Sequence, residues 1–323
     1  MFTAALKNTL LTLAKHPTTL ARAQQMLYYA LKFPGGLKSF NRFHENLPRH
    51  QQRLFHAAFS KLFRAHPPLK FHSGWEVSFE DSVYTIPLNP STLWLDFDTA
   101  LSMNGHDTEV KATYAYLLRK ARPRLFFDVG ANYGTHSLLL QKAGVQTVAF
   151  EPNPTCHDYF RALMQANRCW PTLQKQGVGP RQDTLVLTYD PRETWNGGFT
   201  DTDNLPEHWE TATVEVISLD TFSQKHQLWP DLVKIDTEGF ELDVLEGAHE
   251  LLTRQNTRFI FESRTPAERK ALWDIFDRYH HELFALPFEG QRTSLTPEAF
   301  MQSSDTNFLA QPKKIKDEVL DHD

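Results

Sequence analysis

The 323-residue chain reads as an α/β protein built on a doubly wound, mostly parallel sheet with a helical extension in front of it. Three observations predict this. From residue 125 onward, short apolar runs alternate with stretches of helical period, the pattern of parallel strands joined by helical crossovers. The first such run, Leu125 to Val129, opens into a turn with glycines at Gly130 and Gly134. Acidic residues stand at or next to the ends of four runs, at Asp128, Glu151, Asp236 and Glu262, where sheets of this kind gather ligands beyond the carboxyl ends of their strands.

The extension, residues 1–72, reads as helices broken at His16-Pro17, Phe33-Pro34-Gly35-Gly36, Leu47-Pro48 and His66-Pro67-Pro68. Leu54, Phe55, Ala58, Phe59, Leu62 and Phe63 recur at three and four residues, one face of an amphipathic helix. The segment holds eleven Lys or Arg and one acid, Glu45, a formal +10 that leaves −15 for the rest of a chain whose net charge is −5. A basic front on an acidic body suits an anionic partner. A helical cap on the main domain and an element lying on an anionic membrane surface are both open readings. Nucleic acid is disfavoured, because no binding motif accompanies the charge. Cys156 and Cys169 form neither a disulfide framework nor a metal-ligand cluster. No run approaches the ~20 apolar residues of a spanning helix, and Lys7 and Lys15 bracket a short apolar run that lacks a cleavage site. The expectation is a cytoplasmic protein, able to sit peripherally at a membrane.

The main domain is expected over residues 73–312, with a charged tail at 313–323. Trp75 to Glu80 alternates apolar and polar and is followed after a short turn by Val83 to Ile86, a hairpin. A helix from Asp107 to Ala121 places Val110, Tyr114, Leu117 and Leu118 on one side, and Arg122-Pro123 ends it. Strand Leu125–Val129, helix Ser137–Ala143 and strand Val145–Phe150 follow, then a helix from Cys156 to Asn167 and a strand from Thr184 to Tyr189. Asp190 to Glu210 is rich in loop residues. Strands Thr213–Ile217 and Leu232–Ile235 lead to a helix over Phe240–Thr253 and a strand over Arg258–Phe261. Thr265-Pro266-Ala267-Glu268 is a capping box with proline at the first helical position, opening a helix with Leu272, Ile275, Phe276 and Tyr279 on one face.

The glycine spacing selects among nucleotide-like ligands. A dinucleotide fold uses G-x-G-x-x-G so that backbone amides approach a pyrophosphate. Here the glycines are four apart and Asp128 precedes them, which suits S-adenosylmethionine, a ligand with a sulfonium, an amino-acid end and a ribose but no phosphate. Glu151, 23 residues after Asp128, is placed to accept from both ribose hydroxyls. Asp128 lies where the ligand's positive charges would, and Asn132 suits the unusual backbone of the turn. The second informative block is Asp231-Leu-Val-Lys-Ile-Asp236-Thr-Glu238-Gly239-Phe-Glu241. Three carboxylates within six residues repel one another and raise a pKa unless a cation or donors intervene. That favours general-base capacity on the substrate side, or a bound divalent ion.

Phe127 to Gly134, Phe150 to Pro154 and Val233 to Glu241 together resemble the FkbM family of S-adenosylmethionine-dependent methyltransferases, and Ser218 to Phe222 and Asn307 to Leu309 are similar to further family stretches. The resemblance implies a class I (Rossmann-like) methyltransferase fold and O-methylation of a sugar, glycan or related secondary metabolite. It implies that Asp128, Gly130, Asn132, Gly134, Glu151 and Asp236 border the cofactor. It places Asp236, Glu238 and Glu241 on the catalytic, substrate side, with Asp236 the expected general base. His136 and Thr237 stand where the family leads one to expect an aromatic residue and a valine. An NAD-dependent oxidoreductase and a non-catalytic binding module are the alternatives; the first lacks its middle glycine.

Overall fold

The computed structural model describes residues 74–313 except 90, 91, 192, 193, 195 and 200–204, together with residues 22, 25, 29–33, 35–48 and 51. The amphipathic stretch expected over residues 54–63 and most of the charged tail therefore lie outside the described residues. Two compact units are distinguished: residues 1–108 with 166–168, and residues 109–165 with 169–323. Among the described residues no helix is long and apolar enough to cross a membrane.

The first unit contains helix α1 (Gly36–Glu45), the antiparallel hairpin β1 (Trp75–Phe79) and β2 (Ser82–Ile86), and helix α2 (Leu93–Gly105). Its core is organised by Trp75, which is fully buried. Phe40 and Phe97 meet the Trp75 ring edge-on at 5.4 and 5.1 Å, and its Nε1 donates to Asn41 Oδ1 at 2.7 Å. An indole takes such a partner when it leaves water.

The second unit begins with α3 (Thr108–Lys120) and carries a seven-stranded sheet. In chain order its strands are β3 (Leu125–Val129), β4 (Gln146–Phe150), β5 (Thr172–Gln174), β10 (Leu232–Ile235), β11 (Arg258–Glu262), β12 (His281–Ala285) and β13 (Asn307–Pro312). Their spatial order is β12-β13-β11-β10-β3-β4-β5. All neighbouring pairs from β11 to β5 are parallel, and β13 runs antiparallel to both of its neighbours. Helices α4 (Thr135–Lys142) and α5 (His157–Ala166) cross from β3 to β4 and from β4 to β5. Every residue of β3 and β10 is buried, which is why both strands read as mainly apolar runs, broken only by Asp128 and Lys234, rather than alternating ones. Phe127, Phe150 and Phe222 pack edge-on at 4.9 to 5.6 Å at the centre.

A second sheet has the order β6-β9-β7-β8. It is made of β6 (Gly177–Val178), β7 (Asp183–Tyr189), β8 (Gly197–Gly198) and β9 (Glu210–Ile217). Helix α6 (Leu219–His226) leads back to β10. The single helix expected over 240–253 is two: α7 (Glu241–Glu246) and α8 (His249–Arg254). The break falls at a position that requires glycine, since a Cβ at Gly247 would overlap the Gly179 carbonyl. It also has a capping cause: Asp220 accepts from the amides of Glu250 and Leu251 at 2.8 and 3.1 Å and so starts α8 anew. Helix α9 (Pro266–Arg278) opens on the expected Thr265–Glu268 capping box, complete on both sides, and α10 (Pro297–Gln302) precedes β13.

Candidate active site

The order of strands reverses between β3 and β10. Chain-consecutive strands lie to one side of β3, and β10 lies to the other, so their carboxyl ends open a crevice at a topological switch point. On the β3 side the chain turns through Gly130 (φ 78°), Asn132 (φ 49°) and Gly134 (φ 82°). The amides of Gly130 and Ala131 donate to the Phe150 carbonyl at 3.0 and 3.1 Å, folding the turn over the end of β4. A Cβ at Gly130 would overlap the Asp236 carbonyl, and one at Gly134 would overlap the Phe160 ring. Both glycines are therefore required by contact as well as by φ.

Glu151 follows β4 directly and is buried. Its Oε2 accepts from the Asn132 amide at 2.6 Å and its Oε1 from the Asn153 amide at 2.7 Å, so the carboxylate ties the glycine turn to the end of the next strand. Burial pushes its pKa up to about 7; the two amides act the other way, and the charges of Asp128 and Asp236 add to the rise. Asp128 is 1% exposed. Ser137 donates to its Oδ2 at 2.6 Å, and its Oδ1 is buried without a hydrogen-bond partner among the described residues. A buried carboxylate oxygen left in this state is a costly arrangement for a protein to keep. Asn132 turns its side chain away from Glu151: its Oδ1 accepts from Thr194 Oγ1 at 3.0 Å and from Cys156 Sγ at 3.5 Å.

Across the crevice, Asp236 follows β10, Glu262 ends β11 and Glu238 lies in the loop between Asp236 and α7. Their carboxylate oxygens come within 4.8 Å of one another. Two cations meet them. The buried Lys234 donates to Asp236 Oδ2 at 2.7 Å, and Arg264 spans Glu238 Oε2 at 2.6 Å and Glu262 Oε2 at 2.8 Å. Burial raises the pKa of Glu262, with Asp236's charge adding to it against Arg264. Burial likewise raises Glu238. Glu238 holds a left-handed backbone (φ 57°) followed by Gly239 (φ 107°). Glu241 faces another way. Its Oε1 accepts from Thr237 N at 2.8 Å, Thr237 Oγ1 at 3.0 Å and Gly239 N at 3.2 Å, closing the loop over the first turn of α7. His136 sits on α4, buried, with its ring edge-on to Tyr114 at 5.7 Å.

The fold thus brings the six acids singled out in the sequence to one edge of the sheet. Five of them line the two walls, and Glu241 braces the loop beneath. Arg264, Thr194 and the pairing of Lys234 with Asp236 escaped the sequence reading. Lys234 was readable in principle: a lysine inside an otherwise apolar strand needs a partner. Arg264 and Thr194 carry no local pattern.

Residues 128–291, about half of the chain, match the family described as the methyltransferase FkbM domain, and the chain belongs to that family. Its strand order, with one reversed strand near an edge, is the class I methyltransferase fold expected from the sequence. A curated relative, the hexuronic acid methyltransferase AglP of Haloferax volcanii, is 31% identical over 134 residues, 41% of this chain and 53% of that protein. The chain accordingly spans about half the length of the curated relative it matches. Among solved structures, the methyltransferase FkbM from Methylobacillus flagellatus KT is 15% identical with a TM-score of 0.38, covering 68% of this chain and 54% of that one. The ribosomal protein L11 methylase from Lactobacillus delbrueckii subsp. bulgaricus is 11% identical with a TM-score of 0.38, covering 64% and 78%.

Proposed function

We propose that the protein methylates a hydroxyl oxygen of a sugar or glycan with S-adenosylmethionine as donor. The observation that carries this reading is the pair of opposed acidic walls: a buried turn-bound Glu151 and a half-satisfied Asp128 on one side, and the clustered carboxylates of Asp236, Glu238 and Glu262 on the other. The first wall fits the donor. Asp128 Oδ1 is an orphaned acceptor beside the glycine turn, suited to the donor's ammonium or sulfonium. Each oxygen of Glu151 takes one amide and retains a lone pair for a ribose hydroxyl. Gly130 and Gly134 let the turn pack against the Asp236 carbonyl and the Phe160 ring. When bound, S-adenosylmethionine supplies a methyl group on a sulfonium, which passes to the acceptor oxygen while the sulfur departs as a neutral thioether.

The chain's own part is to bind, align and take a proton. Holding two reactants in line is worth roughly 7–11 kcal/mol of barrier. A sugar hydroxyl is a weak nucleophile and loses its proton during transfer, so a base must stand at the acceptor. Asp236 is assigned that role, because its backbone carbonyl lies against Gly130 of the donor turn. Lys234 holds its Oδ2 and leaves Oδ1 for the acceptor. Glu238 and Glu262, held by Arg264, orient further hydroxyls, and Glu241 keeps the loop in shape. The AglP relative, named for hexuronic acid, supports a sugar acceptor. Methyl-labelled S-adenosylmethionine incubated with the protein and glucuronic acid, galacturonic acid and their short oligosaccharides tests the reading. Base-stable label on a sugar oxygen is expected; label on none of them contradicts the sugar assignment.

A further inference from the structure

Outside the two acidic walls, the second sheet carries an open cleft of about 400 Å³ whose lining includes Arg181, Asp183, Val186, Phe199, Phe240 and Asp243. Clefts of about 300–1,000 Å³ with apolar and aromatic walls and a few polar groups are the usual size and make-up of small-molecule sites. The sequence builds this one deliberately. Phe199 and Phe240 lie with ring centroids 4.9 Å apart at 58°. They fit because glycines stand beneath them: a Cβ at Gly177 of β6 would come 2.6 Å from the Phe199 ring and one at Gly179, just after it, 3.1 Å from the Phe240 ring. Val186 is 42% exposed on β7, an apolar surface left open to solvent. Polar groups sit at the rim, where Arg181 Nε lies 3.8 Å from Asp183 Oδ2. Burial raises the pKa of Asp243, and Glu246 adds to that.

We infer that this cleft is a second subsite for the acceptor, holding a neutral sugar ring that adjoins the one methylated. The inference rests on the glycan reading above and extends it. Ring C–H groups pack on aromatic faces, while carboxylates and a guanidinium take hydroxyls as acceptors and donors. Two carboxylates against one arginine disfavour an anionic ring here and suit an uncharged one. Position ties the cleft to the reaction. Phe240 is two residues beyond Glu238, and two residues reach at most about 7 Å, so the wall begins about one sugar ring away from the proposed catalytic loop. The acceptor is therefore an oligosaccharide spanning both places rather than a free monosaccharide.

Saturation-transfer NMR on the full chain tests this with cellobiose, maltose and N,N′-diacetylchitobiose as probes and glucuronate as the anionic comparator. Saturation is expected on at least one neutral disaccharide. The affinity read from its concentration dependence should weaken by about tenfold, or roughly 1.4 kcal/mol, in Phe240→Ala, in Asp183→Asn and in the surface variant Val186→Lys. No transfer to any neutral probe, equal transfer in all variants, or loss of glucuronate saturation in the cleft variants overturns the proposal. Calorimetric titration of S-adenosylhomocysteine on the same samples reports the donor wall separately. Its absence refutes the methyltransferase reading, whereas unchanged donor binding without cleft-dependent sugar contact refutes this subsite alone.

Discussion

In the proposed reaction Glu151 and Asp236 take the two halves of the chemistry, and their surroundings suit them to different tasks. Glu151 is locked by two backbone amides, so it is a fixed acceptor; Asp236 is held through one oxygen by Lys234 and keeps the other for a substrate. Because burial lifts Glu151 to about 7, its donor-binding form is lost as pH falls below that value. The affinity for S-adenosylhomocysteine should weaken by up to about tenfold per pH unit below 7, and Glu151→Gln should flatten the profile; a flat wild-type profile between pH 5.5 and 8 would contradict the assignment. Asp236→Asn removes the proposed base and leaves the donor wall in place. Turnover should fall by about 10²–10⁴ while donor affinity stays within about threefold, measured by labelled-methyl transfer and calorimetry. Of these residues, the acids were legible because each follows an apolar run that can only be a buried strand. Their partners were not: Arg264 reaches Glu238 across 26 positions, and Thr194 reaches Asn132 across 62. Such pairings are products of packing, not of local pattern.

The glycine turn between β3 and α4 is the element on which both walls depend. Gly130 combines a left-handed backbone with a Cβ position already taken by the Asp236 carbonyl, so Gly130→Ala meets strain and backbone overlap together. It should destabilise the protein by at least about 2 kcal/mol in urea titration and abolish donor binding; a variant of wild-type stability and affinity would show that the two strand ends are not in contact. The strands flanking this turn were readable to within a residue or two, since their burial on both faces leaves mainly apolar runs. Other elements were hidden for physical reasons. β5 is three residues long, too short for a period. β13 runs opposite to its neighbours, and strand direction leaves no mark on side-chain alternation. The break between α7 and α8 is marked by contacts with Gly179 and Asp220, which come from other elements.

Across the whole chain, the class of the fold was legible from alternation, whereas the second sheet was read only as strands β7 and β9 joined by loop. Its pairing depends on Gly197-Gly198 and Gly177-Val178, two-residue strands that no pattern announces. Stability carries its own pH signature. His281 is buried against Phe259 and Phe276, and burial lowers its pKa to about 4. Between pH 6.5 and 4 the unfolded chain binds a proton that the folded one does not, so His281 contributes fully above 6.5 and its contribution fades as pH drops toward 4. The stability of wild type relative to His281→Leu should therefore decline by about 3 kcal/mol from pH 6.5 to 4, read by denaturant unfolding; a constant difference would mean that the ring is solvated. Everything proposed for the reaction presupposes that the crevice between β3 and β10 admits the methyl donor. Isothermal calorimetry of S-adenosylhomocysteine against the folded, full-length protein at pH 8 decides it. One-to-one binding that weakens by about 10–100-fold in Glu151→Gln, the loss of hydrogen bonds to a charged acceptor, is the expected result. No heat of binding to the folded wild type, or equal affinity in the two proteins, would contradict the account.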